Sequence, residues 1–378
     1  MSSSNHYDVI VLGMGVMGSA TAYHLARAGK RVLALEQFEL DHRMGSSHGE
    51  SRIIRYAYDH PVYIEMAKAA YPMWNALQEE AGHELMVHTG GLDFGPAEWP
   101  SLVATRDNLA AAHLPYEWLS PAEVGERFPQ FSLSQDMRAV YQPDAASLFA
   151  SRCVIALAEL AQKHGAIARF KSPVTRIEPH RDSVRVHTAT ASYEAGSLVV
   201  AAGPWAGKVL AALDLVLPLQ PTREEIVFFD SPEAALFKPD CFPVFISHGE
   251  TYHYGLPDVD GNGLKVGVHK NNEPTDPDTC KRTPDDDYIE HMRGFLRTYI
   301  PRAEGRVNEA RICLYTMTPD EHFIIDRHPV YPHIVFGAGF SGHGFKFGIL
   351  IGQILADLAT NGQTSYDISL FAANRLQR

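Results

Sequence analysis

The sequence predicts an α/β (α+β) chain: a Rossmann-like, dinucleotide-binding domain carrying an inserted, mostly antiparallel sheet domain. Three observations point there. Residues 7–36 read as strand, glycine turn, helix, strand and acid. The middle of the chain turns strand-rich between proline- and aspartate-bearing loops. The C-terminal part then returns to strand, glycine-rich turn and long helix.

The first unit is YDVIVLGMGVMGSATAYHLARAGKRVLALE, Tyr7 to Glu36. DVIVL is an apolar run long enough for a buried parallel strand. Gly13, Gly15 and Gly18 form G-x-G-x-x-G. The first glycine permits the tight turn, the second lets backbone approach a pyrophosphate, and the third lets the helix pack closely on the sheet. Ser19–Ala28 places Ala22, Leu25 and Ala26 at helical spacing, and Gly29 stops it. Arg31–Leu35 is the second strand. Glu36 lies about twenty residues past the turn, where an acid accepts hydrogen bonds from a ribose.

A polar loop, Asp41–Glu50, precedes a helix over Pro61–Ala81. Thr89–Pro96 (TGGLDFGP) reads as a strand with turn glycines. Helical stretches follow at Leu102–Ala112 and Pro121–Phe128, then an amphipathic helix at Phe149–His164. Ala166–Phe170 and Val174–Glu178 read as strands, and Ser183–Thr188 with Ser192–Ala195 as a hairpin. Leu198–Gly203 reads as a second buried strand, with a helix from Trp205 to Leu213. From Leu217 to Ile312 the pieces EIVFFD, FPVFIS, TYHYGLP and GLKVGVH alternate as strands, with one helix at Asp287–Tyr299. Ile334–Ala359 closes the chain as strand, glycine turn and helix. The nucleotide domain is therefore discontinuous, expected over residues 1–85, 148–215 and 318–378, with the sheet domain over 86–147 and 216–317.

Composition narrows the function. The chain has 378 residues, enough for two cores, with 45% hydrophobic and 21% charged residues. Its formal charge of −12 argues against nucleic acid or an anionic membrane as partner. The N-terminus lacks the basic and apolar segments of a leader, NRLQR is not a peroxisomal address, and no run reaches transmembrane length. A cytoplasmic location is the expectation. Cys153, Cys241, Cys280 and Cys313 form no C-x-x-C pair or zinc pattern, so no metal is expected and most are read as buried thiols.

Four stretches could carry chemistry. GSSHGESRIIRYAY (Gly45–Tyr58) sets Arg52 and Arg55 three apart, near one face if the segment is helical. An arginine fork binds a carboxylate, while the plainer reading is a solvated pair. Flanking Ile53, Ile54 and Tyr56 favour partial burial. In GLKVGVH, strand alternation puts Lys265, Gly267 and His269 on one face. Such a face is costly inside unless it meets a cofactor or an anion, and it means nothing if it faces solvent. Cys313 and Tyr315 share a face by the same period. A lone strand cysteine is usually a small buried hydrophobe. GAGFSGHGFK (Gly337–Lys346) puts close-approach glycines before a helix, an arrangement that stabilises negative charge. Lys346 opposes the helix dipole there, which suggests a service elsewhere. His343 could be only a turn residue.

Together, GMGVMG, GSSHGESRIIR, GLKVGVH, CLYTMTPDEHFIID and AGFSGHGFK resemble, in order and over essentially the whole chain, the monomeric sarcosine oxidases. The N-methyltryptophan oxidases, in the same wider group of FAD-dependent amine oxidases with a D-amino-acid-oxidase-like fold, are similar too. The C-L-Y-T and S-G-H-G-F-K stretches are more specific than the glycine turn. The resemblance implies that Gly13, Gly15, Gly18 and Glu36 hold the FAD pyrophosphate and ribose. Val174 would approach the adenine side through its backbone. Cys313 would form a thioether at the flavin 8α position, and Gly344 with Lys346 would border the cofactor. Arg55 and Lys346 would grip the substrate carboxylate, with Tyr254, Phe245, Leu256 and Gly342 around the substrate. His269 and Tyr315 would line the amine side, Arg52 and His48 the flavin ring, and Lys265 the face where oxygen reacts.

The implied reaction is hydride-equivalent transfer from an N-methyl carbon to FAD. Imine hydrolysis then gives formaldehyde and the demethylated amino acid, and oxygen leaves as hydrogen peroxide. Sarcosine would give glycine, and the protein would act as a monomer on a small N-methyl amino acid and oxygen. The sequence departs from the usual pattern at Ser46-Ser47-His48, where adjacent histidines are common. It also departs at Leu256, where an aromatic residue is usual, and at Phe245, where methionine is usual. These changes bear on pocket volume. Alternatives are an oxidase of N-methyltryptophan or a cyclic imino acid, an NAD-dependent dehydrogenase, and a flavin-binding protein or dehydrogenase that does not use oxygen. Cys313 and the C-terminal glycine turn argue against the NAD reading.

Overall fold

The computed structural model describes residues 6–376. The readings made on residues 1–5 and 377–378 lie outside this range. The chain forms a mixed α/β architecture around two large sheets and a small third one.

The first sheet is eight-stranded. Its centre is His6–Leu12, parallel to Val32–Leu35 on one side and to Ser192–Val200 on the other. Ile334–Ala338 adds in parallel to Ser192–Val200. Central parallel strands are covered on both faces, which explains why DVIVL is apolar without alternation. Val9 and Val11 enter the helix-covered core, and Ile10 and Leu12 the core on the opposite face. The helices Val16–Arg27, Pro61–Ala81, Ala150–Lys163 and Gly348–Asn361 contribute to the first of these cores. At Gly352 an added Cβ would lie 2.4 Å from the Ala20 Cβ, so the first and last of these helices cross in close contact.

Two sequence expectations change here. The hairpin strand and the LVVAAG strand are one continuous strand, Ser192–Val200. Its first half pairs antiparallel with Val184–Thr188 and its second half parallel with Ile334–Ala338. Gly196 does not break it, because extended backbone there is unstrained. The cysteines also differ from expectation: Cys153 and Cys313 are buried, but Cys241 is exposed and Cys280 half-buried. Both of the latter lie in loops rather than in strands or helices facing a core.

The second sheet is nine-stranded and mostly antiparallel. Gln220–Asp230 pairs along its length with Arg306–Met317 and also with Leu264–Val268. One joint is parallel: Val244–Ser247 runs beside Gly91–Pro96, joining strands distant in sequence. The helix Asp286–Tyr299 and an aromatic cluster including Phe94, Phe131, Phe242, Phe245 and Phe295 fill one face. The third sheet joins Arg52–Ile54, Ala146–Leu148 and Met86–His88. Among the described residues, no helix is long and apolar enough to cross a membrane.

Candidate active site

One cavity of about 880 Å³ runs from the Gly13 turn, past the loop around residues 41–55, to the second sheet and the 339–346 turn. At one end Gly13 and Gly18 show the tight turn and close packing that their spacing implies. Gly13 has φ +94°, and a Cβ there would sit 2.5 Å from the Ala201 carbonyl oxygen. At Gly15 a Cβ would crowd Ser47 Oγ, which accepts a hydrogen bond from Val16 N at 3.0 Å. Gly18 does not line the cavity. A Cβ there would overlap the Gly13 carbonyl, so its part is helix-on-turn packing.

Glu36 closes this end. Its carboxylate accepts from Met14 N at 2.8 Å and from Phe38 N at 3.0 Å, and His42 Nε2 lies 3.5 Å away. Burial by itself raises the Glu36 carboxyl, but these partners outweigh it and hold the pKa below its ordinary value. Val174 begins its strand beside the same end.

Arg52 and Arg55 do not form a fork. Arg52–Ile54 is a strand, not a helical turn, so residues three apart point in different directions. Arg52 donates to the carbonyls of Ser46 (2.9 Å), His48 (2.7 Å) and Ser51 (2.8 Å), and its guanidinium lies 5.6 Å from the Phe345 ring centroid. Arg55 instead donates to Asp93 Oδ2 at 2.5 Å and lies 4.8 Å from the Tyr58 ring centroid. Lys346 meets that ring from elsewhere, 5.3 Å from its centroid, and donates to Tyr58 OH at 2.8 Å and the His343 carbonyl at 2.9 Å. Lys346 sits in a 3-10 turn just before the Gly348–Asn361 helix. Burial first, and Arg55 second, push its amine well below the ordinary value.

Lys265 is buried in the Leu264–Val268 strand, and its Nζ donates to the Ser51 carbonyl at 2.8 Å. Burial, then Arg52, lowers its pKa well below the ordinary value. His269 follows that strand, and its ring centroid lies 5.8 Å from that of Tyr315. Burial, reinforced by Lys270, Lys346 and Arg55, lowers His269 to about 3, so it is neutral at neutral pH. His48 is likewise lowered to about 3 by burial and by Arg52. Both His48 ring nitrogens are buried without a hydrogen-bond partner among the described residues, and the side chain lines the cavity. Buried orphan polar atoms are rare and point to an absent partner.

Cys313 and Tyr315 share a face of the Arg306–Met317 strand, and both line the cavity. Burial raises the Cys313 thiol to about 11, with Arg52 opposing. Ser46 Oγ donates to the Leu314 carbonyl, tying the loop to this strand. Burial also raises the Tyr254 and Tyr315 phenols. Gly342, at φ +78°, leaves room for the Tyr315 ring, which an added Cβ would strike at 2.2 Å. At Gly344 a Cβ would lie 2.6 Å from the Phe340 Cβ.

Tyr254 and Leu256 line the cavity, but Phe245 does not. On the Val244–Ser247 strand the alternation turns Ile246 to the cavity and Phe245 into the aromatic core, against Phe94, Phe131 and Phe295. A change at Phe245 therefore alters the core rather than the cavity wall.

Sequence reasoning missed Tyr58, Asp93, His248, Ser101 and Tyr252. Asp93 left a trace: an acid between Leu92 and Phe94, both fully buried. Tyr58 follows Arg55 by three residues, but nothing local shows that Lys346 meets the same ring.

These residues fit a dinucleotide cofactor. The glycine turn has room for a pyrophosphate, Glu36 would suit a ribose, and the orphaned His48 nitrogens would suit a polar ring edge. Comparison with known proteins agrees. The model of the FAD dependent oxidoreductase family (DAO) matches residues 8–358. A monomeric sarcosine oxidase from Bacillus sp. (strain NS-129) is 40% identical, covering 98% of this chain and 97% of the relative. An N-methyl-L-tryptophan oxidase from Yersinia pestis (strain Pestoides F) is 31% identical over 98% of this chain and 100% of its own length. Among solved structures, NikD, an unusual amino acid oxidase essential for nikkomycin biosynthesis, superposes with a TM-score of 0.85 at 28% identity, covering 97% of each chain. The chain belongs to the FAD dependent oxidoreductase family.

Proposed function

We propose that this protein oxidatively demethylates sarcosine and related small N-methyl amino acids, with FAD as cofactor and oxygen as acceptor, giving the parent amino acid, formaldehyde and hydrogen peroxide. The observation that carries this reading is the pair Arg55 and Lys346 on one tyrosine ring, in the cavity that begins at the glycine turn. Two basic groups converging at one wall suit a carboxylate. The similarity to sarcosine oxidases supports the same chemistry.

FAD, when bound, supplies the two-electron acceptor. The side chains do the rest. Arg55 and Lys346 fix the carboxylate and so aim the N-methyl carbon. A substrate carboxylate beside Lys346 also restores the charge that burial opposes. His269 is neutral at working pH and Tyr315 is un-ionised, so this wall adds no charge that would favour a protonated amine leaving its proton in place. Lys265 supplies a donor where negative charge develops as oxygen reacts. Cys313 is the candidate for a covalent link to the flavin, and His48 and Arg52 for contacts to its ring. Leu256 and Ile246 make part of the wall aliphatic, which suits a small substrate side chain. We read residues 1–85, 148–215 and 318–378 as the cofactor-holding part, which also contributes Arg55 and Lys346 to the substrate, with residues 86–147 and 216–317 supplying the rest of the substrate wall. The protein is expected to act as a monomer.

The test is peroxide release in air from sarcosine, N-methylalanine, N-methyltryptophan, proline, pipecolate and glycine. A profile led by sarcosine is expected. A profile led by a bulky or cyclic amine moves the enzyme to a sister specificity. Silence across the panel with flavin bound removes the oxidase reading.

A further inference from the structure

Asp93 lies behind Arg55, in the Gly91–Pro96 strand, and does not itself line the cavity. Its side chain is 4% exposed, and its Oδ2 takes both Arg55 Nη1 at 2.5 Å and His248 Nε2 at 3.1 Å. An acid here is costly unless paired, since its strand neighbours serve a dry aromatic core. The pairing continues outward. His248 Nδ1 lies 2.8 Å from Ser101 Oγ, and Ser101 Oγ lies 2.8 Å from Tyr252 OH, which accepts from Trp99 Nε1 at 3.4 Å. A carboxylate only accepts, so His248 Nε2 carries a proton. With Nε2 donating, Nδ1 is placed to accept from Ser101, and Ser101 from Tyr252. The chain of donors runs toward Asp93 and fixes its carboxylate against Arg55.

The two basic groups of the proposed carboxylate site therefore differ. Arg55 has a resident carboxylate on one edge of its guanidinium. Among the described residues, Lys346 has only neutral partners, Tyr58 OH and the His343 carbonyl. An incoming carboxylate reaches the free edge of Arg55 with Asp93 on the far side.

We propose that Asp93 is a specificity-determining, positioning residue: it holds Arg55 in place and offsets its charge, so that the cavity accepts an amine bearing one carboxylate and discriminates against one bearing two. The proposal rests on the reading that Arg55 and Lys346 receive the substrate carboxylate.

The experiment titrates the FAD-loaded enzyme with acetate and with malonate at fixed ionic strength, following the absorption of the bound flavin. Removing the charge at Asp93 takes away a like charge a few ångströms from the bound anion, worth about tenfold in affinity for a monoanion. In Asp93→Asn, whose amide oxygen can still accept from Arg55 and so keep it in place, acetate should bind about tenfold tighter, and malonate should gain more than acetate. A merely structural role would not move the malonate-to-acetate ratio. Unchanged or weaker acetate binding, or an equal change for both anions, overturns the assignment. If Asp93→Asn does not fold, His248→Leu carries the test with the opposite sign. Asp93 loses the N–H that shares its charge, and acetate should bind about twofold to threefold weaker. Equal or tighter binding there also overturns it. The underlying reading fails separately: wild-type enzyme showing no saturable response to either anion removes the carboxylate site itself, and the proposal with it.

Discussion

At the residue scale, burial decides what each polar group can do. Lys265 and Lys346 place amines in a desolvated wall, and both have depressed pKa values for that reason. Such groups respond strongly to a nearby negative charge. If Lys265 serves the step with oxygen, Lys265→Met should slow reoxidation of the reduced enzyme about a hundredfold and change reduction by substrate much less. Stopped-flow absorption of the two half-reactions measures this, and equal slowing of both would sink the role. Cys313 is buried, with its thiol raised to about 11, and so is a poor nucleophile alone. Arg52 foremost, then Lys265 and Arg282, oppose this shift. For wild-type protein we expect flavin to stay with the polypeptide after acid precipitation, and for Cys313→Ala to release it. Free flavin from the wild type would end the covalent assignment.

At the scale of elements, strand alternation was the most productive sequence rule. It put Cys313 and Tyr315 on one face, and both line the cavity. The resemblance, which carries no strand phase, implied Phe245 at the substrate. Only the pairing of Val244–Ser247 with Gly91–Pro96 and His253–Leu256 fixes which face is which. Register is a tertiary property, and a one-residue slip exchanges the faces. Arg52 and Arg55 show the complementary failure, because a short strand cannot be told from a helical turn by three residues. The glycine turn at 339–344 is itself an element with little freedom. Gly342→Ala would force a side chain into left-handed backbone, at a cost of about 1–2 kcal/mol, and into the Tyr315 ring. We expect a melting temperature lower by several degrees and a raised KM, with flavin retained. A variant with wild-type KM would show that the ring yields without consequence.

At the scale of the whole molecule, buried histidines couple stability to pH. His24 joins the first helix to the last through the Ile349 carbonyl at 3.0 Å, and burial lowers its pKa from 6.5 to about 4. His253, stacked on Phe295, is also lowered to about 4, by burial and then by His291. Neither lines the cavity. Between these values the unfolded chain binds protons that the native state refuses. The stability each contributes is complete above pH 6.5 and is lost as pH falls toward 4. The slope approaches about 1.4 kcal/mol per pH unit for each histidine within that window. Glu36, whose folded pKa is lowered, acts in the same direction at lower pH. Denaturant melts from pH 7.5 down to 5 should therefore show falling stability, with a shallower fall in His24→Gln. Constant stability across that range would mean that these rings are not held neutral.

Elements with a local cause were legible in the residues alone. The strand–turn–helix of Gly13, Gly15 and Gly18 is one. The helix Pro61–Ala81, between an N-terminal proline and Gly82 at φ +73°, is another. The residue types at the cavity were also legible, because a lysine in GLKVGVH or a cysteine in RICLYT is conspicuous in an apolar strand. Only the tertiary structure decided which side chains meet. Arg55 and Lys346, far apart in the chain, share the Tyr58 ring, and Asp93 with His248 stands behind Arg55. The physical reason is range. Backbone conformation and periodicity are set within a few residues, but a buried charge is compensated by whichever strand the sheet order places beside it. In this protein that order includes a parallel joint between segments separated by well over a hundred residues, which no local pattern records.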